Sequence, residues 1–277
     1  MAFFKSNENG NFYVFTNCDE LLVIKYCINE DGKYGDKELF RLKCNSNPEV
    51  AKANHKSDVS ETKQNALTSA AMSNCGEYIC ACDTNNRLHL WKHENLLSIR
   101  SLVRKCQKVI FSNSGSNIIL ADRGGDVFEY PVSKNEDNGN FILGHISLIL
   151  DIAISKDDKY LATSDRDGKI RISYYPNAYN IRSYCLGHQE FVSSIQFVSL
   201  SNEMLISSSG DGTIRLWHVE NNSMQTKCVT LHENELLSKF CNIKNSADIN
   251  KKLDNQLSEN LKVHVDTVAS YIHMLAP

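Results

Sequence analysis

His188, Ser209 and Asp211 are the residues of this chain whose types could do chemistry together. Serine, histidine and aspartate are the parts of a nucleophilic triad, in which the histidine removes the serine proton and the aspartate orients the histidine. The same residue types also satisfy one another in buried structural sets, where an orphaned polar group would cost about 1–3 kcal/mol. The chain has no Gly-x-Ser-x-Gly elbow to expose a nucleophile, which disfavours a free-standing hydrolase.

The histidine and the aspartate both belong to a motif that occurs twice. Gly144-His145 recurs 43 residues later as Gly187-His188, and Asp167-Gly168 recurs 44 residues later as Asp211-Gly212. A period in the low forties that opens on Gly-His and closes on Trp is typical of a four-stranded propeller blade. The repeat therefore predicts an all-β propeller.

Four segments share the second half of such a repeat, in which a short apolar strand and a tight polar turn precede an alternating strand. The closing positions are Trp91, Tyr130, Ser173 and Trp217, at intervals of 39, 43 and 44 residues. Asp-Gly and Asn-Ser-Gly turns favour hairpins because Gly and Asn tolerate positive φ. Residues 1–277 are therefore predicted to form a single WD-repeat propeller of about five blades. One additional N-terminal blade is expected to contain the strands that begin at Phe12 and Leu21.

In a blade of this type the Gly-His histidine, a strand hydroxyl, the turn aspartate and the closing Trp form a buried hydrogen-bonded set. We expect this structural role, and not a catalytic one, for His188, Ser209, Asp211 and Trp217. The preceding repeat keeps His145 and Asp167. It has Ser173 where the closing Trp is expected and Asp165 where the hydroxyl is expected, so it cannot complete the same set.

Two polar stretches interrupt the repeats. Residues 44–66 and 221–262 are predicted to be insertions, the second with a short helix near 234–240. Residues 263–274 resemble the opening strand of a partial blade. The common closed ring has about seven blades, and an open ring exposes apolar blade faces. We therefore expect this propeller to be C-terminally incomplete.

The composition is that of a globular protein with little net charge: 42% hydrophobic, 23% charged and a net charge of −3 over 277 residues. This balance disfavours nucleic-acid binding through the overall charge of the molecule. No apolar run of about 18 residues predicts a membrane span, and the N-terminus is too polar for a signal peptide. The ten cysteines are expected to be reduced and mostly buried, and their spacing does not predict a metal site.

A local basic run is the best candidate for an RNA contact, and it consists of Arg100, Arg104, Lys105 and Lys108. The alternative is an ordinary solvated loop between two blades. No aromatic residues alternate with these cations to provide a platform on which bases could stack.

Residues 141–175 and 180–193 are more specific than a generic blade. The run Asp165-Arg166-Asp167-Gly168-Lys169-Ile170-Arg171 and the later run Leu186-Gly187-His188-Gln189-Glu190-Phe191-Val192-Ser193 carry most of this specificity. Together they closely resemble the WD-repeat non-catalytic subunit of eukaryotic tRNA (guanine-N7)-methyltransferase, the Wuho family. The resemblance is strongest over residues 103–217, weak over 1–100 and slight over 218–277.

The resemblance implies a seven-bladed propeller that forms a heterodimer with a separate catalytic subunit. That partner carries S-adenosylmethionine and methylates a guanine in the tRNA variable loop, while the WD subunit stabilises and orients it without a cofactor of its own. It also implies a location in the nucleus, with the cytoplasm as a second compartment. The family's contact surface corresponds here to Asp165, Arg166, Asp167, Lys169 and Arg171. Gly168 stands where the family usually has an acidic residue.

The same five residues suit a protein partner on physical grounds. Two acids and three bases lie within seven residues at a hairpin turn, and such a mixed cluster favours a specific partner over a general polyanion. Strand alternation is expected to put Lys169 and Arg171 on one face. The alternatives are a solvated rim and, for Asp167, the structural aspartate of its blade.

A generic propeller adaptor, such as a ubiquitin-ligase substrate receptor or a peptide reader, is the competing function. Fold alone does not separate it from the methyltransferase subunit, because propellers host many functions. The specific runs within residues 141–193 favour the methyltransferase subunit.

Overall fold

The computed structural model describes residues 4–6, 12–17, 20–28, 34–44, 66–134, 139–198, 204–219 and 229–232. These residues form twenty β-strands and no helix, in five four-stranded antiparallel sheets. Each sheet is made of four consecutive strands, so the chain completes one blade before it begins the next. This confirms the all-β propeller prediction.

The strands are numbered in chain order, and the blades follow in the same order. Blade 1 contains β1 (Phe4–Ser6), β2 (Phe12–Asn17), β3 (Glu20–Ile28) and β4 (Tyr34–Lys43). Blade 2 contains β5 (Leu67–Met72), β6 (Tyr78–Asp83), β7 (Arg87–Lys92) and β8 (Asn95–Ser101). Blade 3 contains β9 (Cys106–Phe111), β10 (Asn117–Asp122), β11 (Asp126–Pro131) and β12 (Asn140–Gly144). Blade 4 contains β13 (Ile149–Ile154), β14 (Tyr160–Asp165), β15 (Ile170–Tyr174) and β16 (Ile181–Cys185), and blade 5 contains β17 (Val192–Phe197), β18 (Met204–Ser209), β19 (Thr213–His218) and β20 (Val229–His232).

The first strands of successive blades contact one another, β5 with β9, β9 with β13 and β13 with β17. These first strands are therefore the inner strands, and each blade runs outward from them. The apolar side chains form four clusters, and each cluster joins two successive blades. A sheet that packs on both sides needs apolar residues on both faces, which is why Ala162 of blade 4 lies in the cluster shared with blade 5, whereas its neighbour Leu161 lies in the cluster shared with blade 3.

The predicted boundaries agree with the strands in most places. The closing residues Trp91, Tyr130, Ser173 and Trp217 each lie one residue before the end of the third strand of a blade. The strands expected from Phe12 and Leu21 are β2 and β3 of blade 1. The insertion predicted over 221–262 is wrong at 229–232, where β20 completes blade 5 by pairing with β19. The rest of that stretch, residues 45–65 of the first insertion, the helix near 234–240 and the strand from 263 lie outside the described residues.

Candidate functional site

Blade 5 contains a complete hydrogen-bonded set. The His188 ring bonds through Nδ1 to Asp211 Oδ2 at 2.9 Å and through Nε2 to Ser207 Oγ at 2.7 Å. The Trp217 indole donates its Nε1–H to the same Ser207 oxygen at 2.7 Å. Since the indole can only donate, the serine hydroxyl is left to donate to His188 Nε2, and Nδ1–H of that ring donates to Asp211.

The electrostatics of this set follow from its burial. Burial lowers the pKa of His188 and outweighs the opposing effect of Asp211. Burial alone would raise the pKa of Asp211, but hydrogen bonds from Thr213 and His188 outweigh it and hold that pKa well below its usual range. The neutral ring and the ionised carboxylate are therefore the stable forms at neutral pH.

The blade 5 set has a structural role. Trp217 is 1% exposed, and its indole and the His188 ring both hold the Ser207 oxygen, so this hydroxyl is not presented to a substrate. The prediction of Ser209 as the strand hydroxyl is wrong by two residues. The Ser209 hydroxyl instead donates to the carbonyl of Glu190 at 3.1 Å, at the end of β18.

Blade 4 builds a different set from the same Gly-His start. The His145 ring bonds to Thr163 Oγ1 at 2.7 Å and lies 3.3 Å from Asp165 Oδ2. Asp165 Oδ1 accepts the backbone N–H groups of Asp167 and Lys169 at 3.0 and 2.9 Å, which fixes the hairpin turn. Burial opposes ionisation of Asp165, but the bonds from His145 and the two amides outweigh it and lower its pKa.

The structure divides the five charged residues that are predicted to contact the partner into buried and exposed members. Asp165 is buried beneath the turn. Arg171 is only 8% exposed, and its guanidinium donates to Ser173 Oγ at 2.9 Å, Ala178 O at 2.9 Å and Gly144 O at 3.2 Å. Burial lowers the pKa of this guanidinium. Arg171 is held inside because carbonyl groups from two neighbouring segments converge on it.

Arg166, Asp167 and Lys169 remain as the exposed charges of the turn. Gly168 lies between them with φ of +79°, in the left-handed region. A Cβ atom there would lie 2.9 Å from the Glu190 carbonyl oxygen and 3.0 Å from that of His188. Glycine at this position therefore lets the turn pack tightly against the loop that leads into blade 5.

The basic run predicted to contact RNA is divided by the structure. Arg100 is 1% exposed and donates to the Lys134 carbonyl, so its placement in an exposed RNA-binding surface is wrong. Lys108 is also engaged, since its ammonium lies 2.9 Å from Asp151 of the next blade. Arg104 is exposed and pairs with Asp126 at 2.8 Å, and Lys105 is half-buried beside it.

Sequence reasoning missed the buried carboxylates of Asp83, Asp122 and Asp151, and two of these hold a basic side chain in a notable way. Asp151 on the inner strand of blade 4 accepts Lys108 from blade 3 and, through its other oxygen, both the hydroxyl of Ser194 and the amide of Ile195 from blade 5. The signal was available, because Lys108 and Asp151 occupy equivalent positions of successive repeats with opposite charge.

Asp83 in blade 2 is the second. Its Oδ2 lies 3.0 Å from His89 Nε2, with both side chains fully buried, and the His89 ring stacks on Trp91. Aligning the closing residues places Asp83 at the position of Asp165 and His89 at the position of Arg171, so the repeat itself could have identified this pair.

The remaining site predictions concern metals, thiols and membranes. Within the described ranges, His, Cys, Asp and Glu side chains form no group of three or more that could hold a metal ion. All six cysteines for which the structure gives a state are free thiols, and five of them are buried. None of the described segments is a helix long and apolar enough to cross a membrane.

Residues 134–271 match a family model described as the tRNA methyltransferase TRM82 WD40 domain. The non-catalytic subunit WDR4 of tRNA (guanine-N(7)-)-methyltransferase from Mus musculus is 39% identical over 173 residues, which are 62% of this chain and 42% of that protein. The Homo sapiens WDR4 subunit is 35% identical over 207 residues, 72% of this chain and 50% of that protein. The wuho subunit of Drosophila grimshawi is 39% identical over 152 residues, 53% of this chain and 39% of that protein.

The chain spans half or less of the length of these relatives. The β-propeller domain of Cps50 (Swd1) from Myceliophteria thermophila superposes with a TM-score of 0.60 at 11% identity, covering 82% of this chain and 70% of that one. That likeness supports the propeller fold alone. The family model and the relatives carry the assignment, and the chain belongs to the family of WD-repeat non-catalytic subunits of tRNA (guanine-N7)-methyltransferase.

Proposed function

We propose that this chain is the non-catalytic subunit of a tRNA (guanine-N7)-methyltransferase complex and that it stabilises and orients a catalytic subunit. The observation that carries the proposal is the 35–39% identity to relatives that are named as such subunits. The blade networks agree with a non-catalytic role, because His145 and His188 each bond a carboxylate that stabilises a hairpin turn and are not available to a substrate. A generic adaptor has no comparable support.

The exposed turn of blade 4 is the surface that best suits the partner. This turn presents the exposed side chains of Arg166, Asp167 and Lys169. Its backbone is fixed by Asp165, which accepts hydrogen bonds from two backbone N–H groups of the turn. A fixed backbone reduces the conformational entropy that binding would otherwise cost. Charges of both signs on such a turn select for a complementary pattern on one partner.

S-adenosylmethionine is assigned to the partner in this proposal. The chain lacks a Gly-x-Gly-x-x-Gly loop between a strand and a helix. The acceptor is a guanine in the tRNA variable loop, and the product is N7-methylguanine. Nuclear location is part of the same proposal, and imaging of a fluorescent fusion tests it.

Contact with tRNA phosphates is proposed for Arg104 and Lys105, because Arg100 is buried and Lys108 is paired with Asp151 of the next blade. Lys105→Glu in the assembled complex should weaken tRNA binding and reduce its salt dependence. Co-purification of the two subunits should stay unchanged. Equal tRNA affinity for the variant and the unmodified complex would remove this contact.

Reconstitution tests the function as a whole. The 277-residue chain and the catalytic subunit are co-expressed and purified, and methyl transfer from labelled S-adenosylmethionine to tRNA is measured. We expect no transfer by this chain alone and more transfer by the pair than by the catalytic subunit alone. Failure of the two chains to co-purify, together with unchanged activity of the catalytic subunit, would refute the proposal.

A charge reversal tests the surface. Arg166→Glu with Lys169→Glu should weaken subunit binding by about tenfold or more, because close interfacial charge pairs contribute roughly 1.5 kcal/mol upward. Arg123→Glu is the matched control, since Arg123 is exposed at the same position of the blade 3 turn. Binding that is unchanged by the double reversal, or weakened equally by the control, would place the interface elsewhere.

A further inference from the structure

The turns that follow the inner strands of blades 2, 3 and 4 share one design. Each begins at a serine, and three residues later the backbone has a positive φ: Gly76 at 75°, Gly115 at 72° and Asp158 at 55°. Glycine adopts this conformation freely, whereas a residue with a side chain is strained in it. Asp158 therefore occupies a position where the other two blades use glycine, and such an outlier calls for a reason.

The carboxylate of Asp158 supplies one, because it reaches across to blade 3. Its Oδ1 accepts the backbone N–H of Asn113 at 2.7 Å, and its Oδ2 accepts that of Ser114 at 2.9 Å. The Asn113 side chain returns a bond to blade 4, from Nδ2 to the Ser155 carbonyl at 2.6 Å. Glycine at position 158 could accept neither of these two hydrogen bonds from backbone N–H groups.

The connection continues into blade 2. Asn113 Oδ1 accepts a hydrogen bond of 2.7 Å from Asn74 Nδ2, in the equivalent turn of that blade. Three side chains, from Asn74, Asn113 and Asp158, thus link three consecutive blades along one edge of the ring. In blade 4 the turn that contains Asp158 and the turn at 166–169 lie at opposite ends of strand β14. The edge linked by these side chains is therefore opposite the exposed turn at 166–169.

We propose that Asp158 is a positioning residue that fixes the register of blade 3 against blade 4, and that its strained backbone is retained for this purpose. The bond is charge-assisted, and each carboxylate oxygen holds a separate amide. This tie is independent of the function proposed above and would operate whether or not a partner is bound.

Hydrogen exchange at single residues of the full chain tests the proposal, with the amides of Asn113 and Ser114 as reporters. Asp158→Gly relieves the strain and removes both acceptors. Asp158→Asn keeps a side chain of the same size and the same backbone demand but leaves one acceptor oxygen. Asp157→Gly is the matched control, because the Asp157 carboxylate bonds only Ser155 and Lys159 of its own turn.

In Asp158→Gly we expect both reporter amides to exchange about tenfold faster or more, as local opening at this edge becomes easier. In Asp158→Asn we expect one of the two amides to lose protection and the other to keep it. The Asp157 control should leave both within about twofold of the unmodified chain.

Two results overturn the proposal: unchanged exchange of both amides in Asp158→Gly, or equal acceleration by the Asp157 control. Should Asp158→Gly fail to fold, the asparagine variant decides, and full protection of both amides there rejects the tie.

Discussion

Blades 4 and 5 open on the same Gly-His dipeptide and close their hairpins with different chemistry. In blade 5 a serine hydroxyl joins His188 to the indole of Trp217. In blade 4 Thr163 bonds the histidine, and a guanidinium bonds Ser173 at the position of the indole. One backbone arrangement thus accepts either an apolar wedge or a buried cation, provided that the polar atoms around it have partners.

Both closing groups also stabilise the junction with the preceding blade. Trp217 lies in the apolar cluster that joins blades 4 and 5. Arg171 donates to the carbonyl of Gly144, the last residue of blade 3's outer strand. The comparison shows that the closing group of each blade, Trp217 or Arg171, is matched to the preceding blade. Exchanging these two groups between blades 4 and 5 would therefore disrupt both the junction of blades 3 and 4 and that of blades 4 and 5.

The largest effect is expected from removing the Trp217 indole. Trp217→Ala deletes a fully buried indole and should lower the free energy of unfolding by about 3–5 kcal/mol. Ser173→Ala is the equivalent change in blade 4 and should cost about 1 kcal/mol, because it removes one hydrogen bond of Arg171. Equilibrium urea unfolding measures both. Equal losses would show that the closing position matters alike in the two blades.

The buried cation gives the next test. Arg171→Met keeps much of the side-chain volume but leaves the carbonyls of Gly144 and Ala178 without this donor, at a cost of about 2–3 kcal/mol. Arg215 occupies the same position in blade 5, where its charge lies 3.9 Å from Asp211. Arg215 also donates to Thr213 Oγ1 in a long hydrogen bond of 3.3 Å, so Arg215→Met should cost about 1 kcal/mol, less than Arg171→Met. A larger loss from Arg215→Met in urea unfolding would reverse the comparison.

A smaller effect distinguishes the two serines of β18. Ser207→Ala leaves the indole N–H and His188 Nε2 without their shared partner and should cost about 1–2 kcal/mol. Ser209→Ala removes a hydroxyl at the strand end and should cost roughly 0.5 kcal/mol. Thermal and urea unfolding of both variants give the ranking. The sequence-based assignment of Ser209 would be restored if its variant were the less stable one.

These two serines show where prediction from sequence stops. Ser207 and Ser209 have the same strand parity, so alternation places both on one face of the sheet. Their depth decides between them: Ser207 pairs with Arg215 inside the hairpin, whereas Ser209 lies at its end. The spacing of the blades could be predicted without knowing the depth of any side chain, because the positions of Gly-His and of the closing residues define it.

Arg171 shows a second limit. Strand alternation predicted that Arg171 shares a face with Lys169, but Lys169 is exposed and Arg171 is buried. The carbonyls that bind Arg171 come from Gly144, at the end of the outer strand of blade 3, and from Ala178, in the turn between β15 and β16. A backbone acceptor leaves no mark in side-chain types, so sequence patterns cannot show that a cation will be satisfied internally.

The last prediction concerns acid, where the two blades should share one response and differ in another. The carboxylates of Asp165 and Asp211 both have a lowered pKa, so their stabilising effect is present above their ordinary pKa of 3.8 and is lost as the pH falls through the folded pKa.

His188 adds a response of the unfolding free energy at a pH nearer neutrality. Its pKa lies below the ordinary 6.5, so the unfolded chain binds a proton first, and stability falls as the pH drops below that value. His188→Gln should flatten the slope of unfolding free energy as the pH falls below the ordinary histidine pKa of 6.5, whereas Asp211→Asn should reduce the acid limb and keep a His188 response, because loss of this carboxylate lowers the His188 pKa further. An unchanged slope in His188→Gln would mean that the blade 5 histidine keeps its ordinary affinity for a proton, which its burial beside Trp217 argues against.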